Sequence, residues 1–340
     1  MMMSFKQLFS NVLFSSTSLL YIAAASVLSC FMIFFFISGI LAFLILCSIA
    51  FALFYSIQDN FLFFPDIGLH RTCVQVPSIY SLPYETVYIK TRDKVSLHAY
   101  FIRHPEAKGN ACPTIIFFHG NAGNIGGRLI NASGIYNHLQ CNILLVEYRG
   151  YGLSSGNPTE KGLYIDGRAA VDYLFTRHDL DHSQIILFGR SLGGAIVIDI
   201  AADPNYGTKL FACIVENTFT SIPLIARHLI PFTKYIPLLC HKNKFSSIDK
   251  IERVTTPILF ISGLNDTLVP PSMMSTLHSL CKSSRKQLFQ LSGGGHMDSF
   301  LISGYYQGIA QFLTECKELK GPQQTNQHCR LNLWPIIEEV

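Results

Sequence analysis

Gln184-Ile185-Ile186-Leu187-Phe188-Gly189-Arg190-Ser191-Leu192-Gly193-Gly194-Ala195-Ile196-Val197-Ile198 decides the reading of this chain. An apolar run of strand length stops at Phe188, a G-x-S-x-G pattern follows, and small and aliphatic residues open a helix at once. Ser191 therefore belongs on a sharp strand-to-helix corner that presents its hydroxyl. The glycines on either side have a steric reason: side chains two residues from the serine would collide with the backbones of the neighbouring strand and helix.

The pattern occurs twice. Gly152-Leu153-Ser154-Ser155-Gly156 also fits it, but this copy follows the turn Tyr148-Arg149-Gly150-Tyr151 and precedes Asn157-Pro158, which cannot open a buried helix. Ser154 reads as a loop residue.

A serine hydroxyl is a poor nucleophile at neutral pH, so Ser191 needs a base and a group to orient that base. At corners of this type the partners follow in the chain order serine, acid, histidine. Pro257 to Ser262 reads as a buried strand whose following loop, Gly263-Leu264-Asn265-Asp266, carries a carboxylate. Lys286 to Leu291 reads as the next strand, and Ser292-Gly293-Gly294-Gly295-His296 follows it. Asp266 and His296 thus fall at the ends of successive strands, as orienter and base. Glu216, ending the strand Phe211 to Val215, is the competing acid. The developing oxyanion needs backbone donors. Leu192, next to the nucleophile, supplies one; Asn121, in the loop His119-Gly120-Asn121-Ala122-Gly123-Asn124, is the choice for the other, with Gly120 beside it. His119 precedes the serine, so its expected role is to brace that loop.

Residues 12–58 contain no charged side chain, and residues 19–55 are almost wholly apolar, which marks a membrane segment. As one helix, those 37 residues would extend roughly 56 Å against a hydrocarbon core of about 30 Å. Either one span follows an interfacial helix, or two short spans form a hairpin around Ser38-Gly39; a cleaved signal peptide is a poorer match, because its apolar core is shorter. The single span is preferred. The sequons at Asn131 and Asn265 would be glycan acceptors only on the lumenal side, and the second adjoins Asp266.

Composition fits a membrane-attached globular protein. The hydrophobic share of 49% is raised by the N-terminal run, and about 250 residues remain for one α/β domain. The net charge of +4 is too small and scattered for a nucleic-acid partner, and ten cysteines without a C-x-x-C pair argue against a zinc site. Neither a metal nor an organic cofactor is implied. Expected strands are 86–90 and 96–102, an antiparallel hairpin around Arg92-Asp93, then parallel strands at 114–118, 142–147, 184–188, 211–215, 258–262 and 286–291. Helices are expected at 160–177 and 193–202. The resulting organisation is an arm over 1–18, a membrane anchor over 19–57, an α/β domain over 64–318 with a cap at about 219–245, and a polar tail over 319–340.

The runs Phe118-His119-Gly120-Asn121-Ala122-Gly123-Asn124-Ile125-Gly126, Tyr148-Arg149-Gly150-Tyr151-Gly152, Phe188-Gly189-Arg190-Ser191-Leu192-Gly193-Gly194-Ala195 and Val215-Glu216-Asn217-Thr218-Phe219 resemble the α/β-hydrolase domain-containing proteins, notably their membrane-anchored members. Asn243-Lys244-Phe245, inside the cap, extends the likeness. The resemblance implies the α/β-hydrolase fold, a mostly parallel sheet with helices on both faces and a small cap, behind an N-terminal transmembrane helix. It also implies a single-pass type II serine hydrolase with Ser191, Asp266 and His296 as its triad.

The cap is apolar and broken by Pro223, Pro231 and Pro237. With membrane attachment, this favours a lipid-like or acylated substrate: a carboxylic ester or thioester with a hydrophobic acyl group, cleaved through an acyl-enzyme on Ser191. A protein depalmitoylase and a peptidase-like hydrolase are the enzymatic alternatives, and a catalytically silent, membrane-tethered binding protein is the alternative of another class.

Overall fold

A computed structural model describes residues 17–36, 39–66, 71–105 and 112–319. It divides into two compact units: the chain up to Phe64 together with Lys234–Asn243, and the remainder.

In the first unit, α1 (Thr17–Phe36) and α2 (Gly39–Leu62) replace the single long helix that the apolar run could have formed. At about 1.5 Å per residue the second is roughly 36 Å long, and its Leu41–Leu62 stretch is long and apolar enough to cross a membrane. Three serines within the apolar stretches satisfy themselves: the hydroxyls of Ser29, Ser48 and Ser56 donate to the carbonyls of Ala25, Leu44 and Ala52 one turn earlier, at 2.7–2.8 Å. Ser38, the pivot of the hairpin alternative, lies outside the described residues, as does nearly all of the polar tail.

The second unit is built on one sheet. Its strands are β1 (Tyr84–Lys90), β2 (Ser96–Ile102), β3 (Thr114–Phe118), β4 (Asn142–Val146), β5 (Ile185–Arg190), β6 (Ala212–Glu216), β7 (Ile258–Gly263) and β8 (Lys286–Leu291). They lie in the order β1-β2-β4-β3-β5-β6-β7-β8; β1 and β2 form the expected hairpin, β2 runs antiparallel to β4, and every later pairing is parallel. Strands β3 to β7 are buried along their whole length, which is why they read as continuous apolar runs rather than alternating ones.

Alternation survives as a choice of face. Ile115, Phe117, Ile143, Leu145, Ile186 and Phe188 join one core cluster with α3 (Leu129–Leu139) and the C-terminal helix Tyr305–Leu319. Helices α4 (Glu160–Thr176) and α5 (Leu192–Ala201) stand outside that cluster and pack on β3, β5 and each other, so they cover the opposite face. Thr159 caps α4 by accepting from the Gly162 N–H at 3.1 Å. Glu160, in the first turn, accepts from the backbone N–H groups of Lys244 and Phe245 at 2.6 and 2.9 Å, and Ile222 N donates to Lys244 O at 2.8 Å. Lys244 and Phe245, of the Asn243-Lys244-Phe245 run, are therefore where the chain between β6 and β7 is tied to α4 and to the start of the helix that follows β6. Between these ties lie α6 (Ile222–Leu229) and short helical turns whose Leu229, Ile230 and Phe232 are exposed, not packed inward.

Candidate active site

Gly189 and Arg190 end β5, Leu192 starts α5, and Ser191 between them has φ 54° and ψ −115°. A positive φ is costly for a residue with a Cβ and persists only where the surroundings impose it. Here they do. Ser191 N donates to Glu216 O at 2.8 Å, and the Thr218 hydroxyl donates to Ser191 O at 2.7 Å, tying the corner to the end of β6. A Cβ at Gly189 would lie 2.3 Å from Gly193 O, and one at Gly193 would lie 2.0 Å from Phe118 O, the helix and strand collisions that the motif's glycines avoid.

Asp266 has different partners on its two carboxylate oxygens. Its Oδ1 accepts from Leu268 N and Val269 N, both at 2.9 Å, leaving Oδ2 to meet His296 Nδ1 at 2.7 Å. Gly263, at the end of β7, allows the two loops to approach, because a Cβ there would fall 2.6 Å from Gly294 O, and Asn265 N donates to that same oxygen at 2.8 Å. Glu216 is fully buried and engaged elsewhere: Tyr305 OH donates to its Oε2 at 2.6 Å, and Arg190 Nη1 lies 3.9 Å from Oε1. Burial and that neighbouring carboxylate hold the Tyr305 phenol well above its ordinary range.

Two residues not singled out from the sequence hold the histidine loop. Asn217, at φ 46°, donates through Nδ2 to Gly295 O at 2.9 Å, His296 O at 3.3 Å and Ser299 Oγ at 3.0 Å, while its Oδ1 accepts from Gly263 N at 2.8 Å. One amide thus joins the acid-bearing strand to the histidine-bearing loop. Arg190 Nη1 donates to Met297 O at 3.1 Å, so the residue before Ser191 bonds the residue after His296. The only sequence signal for Asn217 is its type, since asparagine tolerates a left-handed backbone better than most.

The loop after β3 lies against the corner: a Cβ on Gly120 would stand 3.6 Å from Ser191 Cβ. Its carbonyls are occupied by side chains. Tyr148 OH donates to His119 O at 2.7 Å, Tyr151 OH to Asn121 O at 2.8 Å, and Arg128 to Ala122 O. His119 is buried, stacked on Tyr148, with Nδ1 2.7 Å from Gly120 O and Nε2 3.0 Å from Glu147 Oε1. Because a peptide is planar and trans, fixing the Gly120 carbonyl also fixes the direction of the Asn121 N–H. Leu192 N–H belongs to the first turn of α5, outside the intrahelical ladder. Glu147 Oε2 accepts from Ile125 N at 3.0 Å and closes the brace.

Ser154 occupies a different environment. Its hydroxyl accepts from His98 N at 2.8 Å and donates to Glu147 O at 3.0 Å, a buried staple between two backbone groups. Of the two sequons, Asn131 is buried inside α3 with its Nδ2 enclosed, so the folded protein offers no acceptor there; Asn265 is exposed.

Fold and corner together define the α/β-hydrolase class. Comparison with known proteins agrees: residues 159–297, from α4 to just beyond His296, match the prolyl oligopeptidase family. The chain belongs to the α/β-hydrolase domain-containing family. It is 38% identical to the α/β-hydrolase domain-containing protein WAV2 of Arabidopsis thaliana, with 81% of this chain and 93% of that protein covered. It is 38% identical to protein bem46 of Schizosaccharomyces pombe, with 72% and 81% covered, and 33% identical to an uncharacterized membrane protein of Saccharomyces cerevisiae, with 82% and 96% covered. Among solved structures, an esterase of Pyrococcus furiosus shares the fold at a TM-score of 0.59 and 18% identity, over 71% of this chain and 95% of the esterase.

Proposed function

We propose that the protein is a membrane-anchored serine hydrolase that cleaves a carboxylic ester or thioester carrying a hydrophobic acyl group. The observation that carries this reading is the 2.7 Å bond between His296 Nδ1 and Asp266 Oδ2, in a loop bonded through Met297 to the residue preceding Ser191. His296 takes the Ser191 hydroxyl proton as the oxygen adds to the substrate carbonyl. The oxyanion is met by the N–H groups of Leu192 and Asn121, and the alcohol or thiol leaves with the proton from His296. Water, deprotonated by the same imidazole, then attacks the acyl-enzyme and releases the carboxylic acid and free Ser191. Asp266 keeps the ring oriented and stabilises its charged form.

The apolar helix α2 and the similarity to a protein named for membrane residence support the anchoring; the exposed apolar cap supports the greasy acyl group. A fluorophosphonate probe on the full chain in membranes tests the reading. Ser191 should take the label, and Ser191→Ala should abolish it together with turnover of a nitrophenyl ester. An unlabelled Ser191 beside a labelled control hydrolase would leave the catalytically silent binding protein. The match to the prolyl oligopeptidase family favours a second reading, a peptidase-like hydrolase, which faster turnover of a peptide amide than of the corresponding ester would select. Acyl-protein thioesters against lysophospholipids separate a depalmitoylase from a lipase within the leading reading.

A further inference from the structure

Where α2 ends, the first unit holds a contact that neither fold nor catalysis requires. From Gly39 to Ile57 the helix has no charged residue, and Gln58 and Asp59 are the first strongly polar pair. In a helix crossing a bilayer, the boundary between hydrocarbon and head groups falls where such residues begin, here within about one turn of Tyr55. Both side chains are taken up by the cap segment of the same unit. Gln58 Nε2 donates to Cys240 O at 2.7 Å and its Oε1 accepts from Lys242 N at 2.9 Å, so one amide pairs with the backbone as a neighbouring strand would. Asp59 accepts from Asn243 Nδ2 at 2.6 Å and pairs with the Lys242 ammonium.

A segment clasped to the polar end of the helix sits at the same depth as that end. The side chains that it turns outward suit such a depth. Tyr235 is 77% exposed, Leu239 85% and Leu238 54%, bracketed by Lys234, whose Nζ lies 4.9 Å from the Tyr235 ring, and by Lys242, whose Nζ lies 5.8 Å from the Tyr55 ring. Two adjacent leucines and a tyrosine between lysines lose free energy in water and recover it at the boundary of acyl chains and head groups, where tyrosine and lysine are favoured.

We propose that Tyr235–Leu239 is a membrane-contacting loop, set against the phospholipid surface by the clasp of Gln58 and Asp59 on Cys240–Asn243. This rests on the membrane reading above, not on the assignment of Ser191. Its consequence is that the chain leaving β6 reaches β7 by way of the bilayer surface.

Full-length protein in phosphatidylcholine vesicles tests it. In a Trp334→Phe background, which removes the sole tryptophan, Leu239→Trp places a reporter on the loop and Leu44→Trp places one in α2. Bromine near the carbonyl end of the acyl chains should quench the reporter at 239 several-fold while aqueous acrylamide does little. Quenching at 44 by deeper bromines, with the reporter at 239 open to acrylamide and indifferent to bromine, would overturn the proposal and leave the span intact. Absence of bromine quenching at both would overturn the proposal together with the membrane reading. Shielding of position 239 from both quenchers would assign the surface to a protein partner instead and overturn it too. Adding Gln58→Ala and Asp59→Ala should at least halve quenching at 239 and leave that at 44 unchanged; an unchanged 239 signal would remove the clasp. Turnover of a water-soluble short-chain ester, read in the same vesicles, reports on Ser191 independently of every one of these outcomes.

Discussion

Two stretches of this chain carry the same five-residue signature, and their serines are comparably buried, at 4% exposure for Ser154 and 7% for Ser191. They differ in what the backbone does. At Ser191 a strand is bent into a helix at positive φ, with the main chain tied down on both sides. At Ser154 a loop is stapled by the side chain itself, its hydroxyl spent on His98 N and Glu147 O. A hydroxyl already shared between two backbone groups has no proton to offer a base, so motif identity teaches less than the direction from which the hydrogen bonds come.

The comparison breaks most sharply at the serines. Ser191→Ala should lower ester turnover by about 10⁴-fold or more, since members of a nucleophile–base pair are each indispensable. Ser154→Ala should leave turnover per folded molecule within about threefold but destabilise the fold by roughly 1–3 kcal/mol, the usual cost of stranding buried backbone groups. Paired turnover and thermal-melting measurements separate the two; equal activity losses would defeat the corner assignment.

The carboxylates allow a sharper version. Asp266→Asn should cost about 10³–10⁴-fold, because the amide offers an N–H where His296 Nδ1 needs an acceptor. Glu216→Gln should act on stability instead, through the bond from Tyr305, with kcat within severalfold. Full activity in Asp266→Asn with loss in Glu216→Gln would reverse the roles.

Next in size is Asn217. Asn217→Gly keeps the left-handed backbone but deletes the amide that joins Gly263 N to the carbonyls of Gly295 and His296. Displacing the imidazole by a fraction of an ångström should reduce kcat by about 10- to 100-fold with KM little changed. An unaltered kcat would make Asn217 a residue of stability alone.

Much of the fold was legible because parallel strands buried on both faces leave unbroken apolar runs, and because β3, β5, β6, β7 and β8 each have a glycine or asparagine at or within two residues of their ends. Asp266 and His296 could be paired from the sequence alone for a topological reason: they follow β7 and β8, adjacent parallel strands that deliver their loops to one edge. Asn217 and Arg190 could not. Their work is done on backbone carbonyls of Gly295, His296 and Met297, and carbonyls leave no trace in residue types. The clasp of Gln58 on Cys240 was equally silent, since 182 residues separate the partners and no periodicity reports a contact at that range. The division of the apolar run was open in the sequence rather than silent: α1 ends at Phe36 and α2 starts at Gly39, beside the Ser38-Gly39 pair offered for the hairpin alternative, although neither proline nor charge marks the place.

The smallest expected effect also distinguishes the two serines, through pH. His98, whose N–H is bound by Ser154, is 1% exposed between Tyr88 and Tyr100, and its Nδ1 has no hydrogen-bond partner among the described residues. Burial holds its imidazole below the ordinary value of 6.5, with the Glu147 carboxylate pulling the other way. Above pH 6.5 the ring is neutral folded or unfolded and contributes nothing to the pH dependence. As pH falls below 6.5 the unfolded chain takes up the proton first, so stability declines until the folded-state value is reached. The melting temperature should therefore drop between pH 7 and pH 5, and His98→Phe should flatten that slope. Turnover by wild type and His98→Phe, compared at temperatures well below melting, should follow the same pH profile, because this titration loads the Ser154 staple and not the Ser191 corner. A matching change in both profiles would mean that the two serine sites are coupled through Glu147 and the loop it braces.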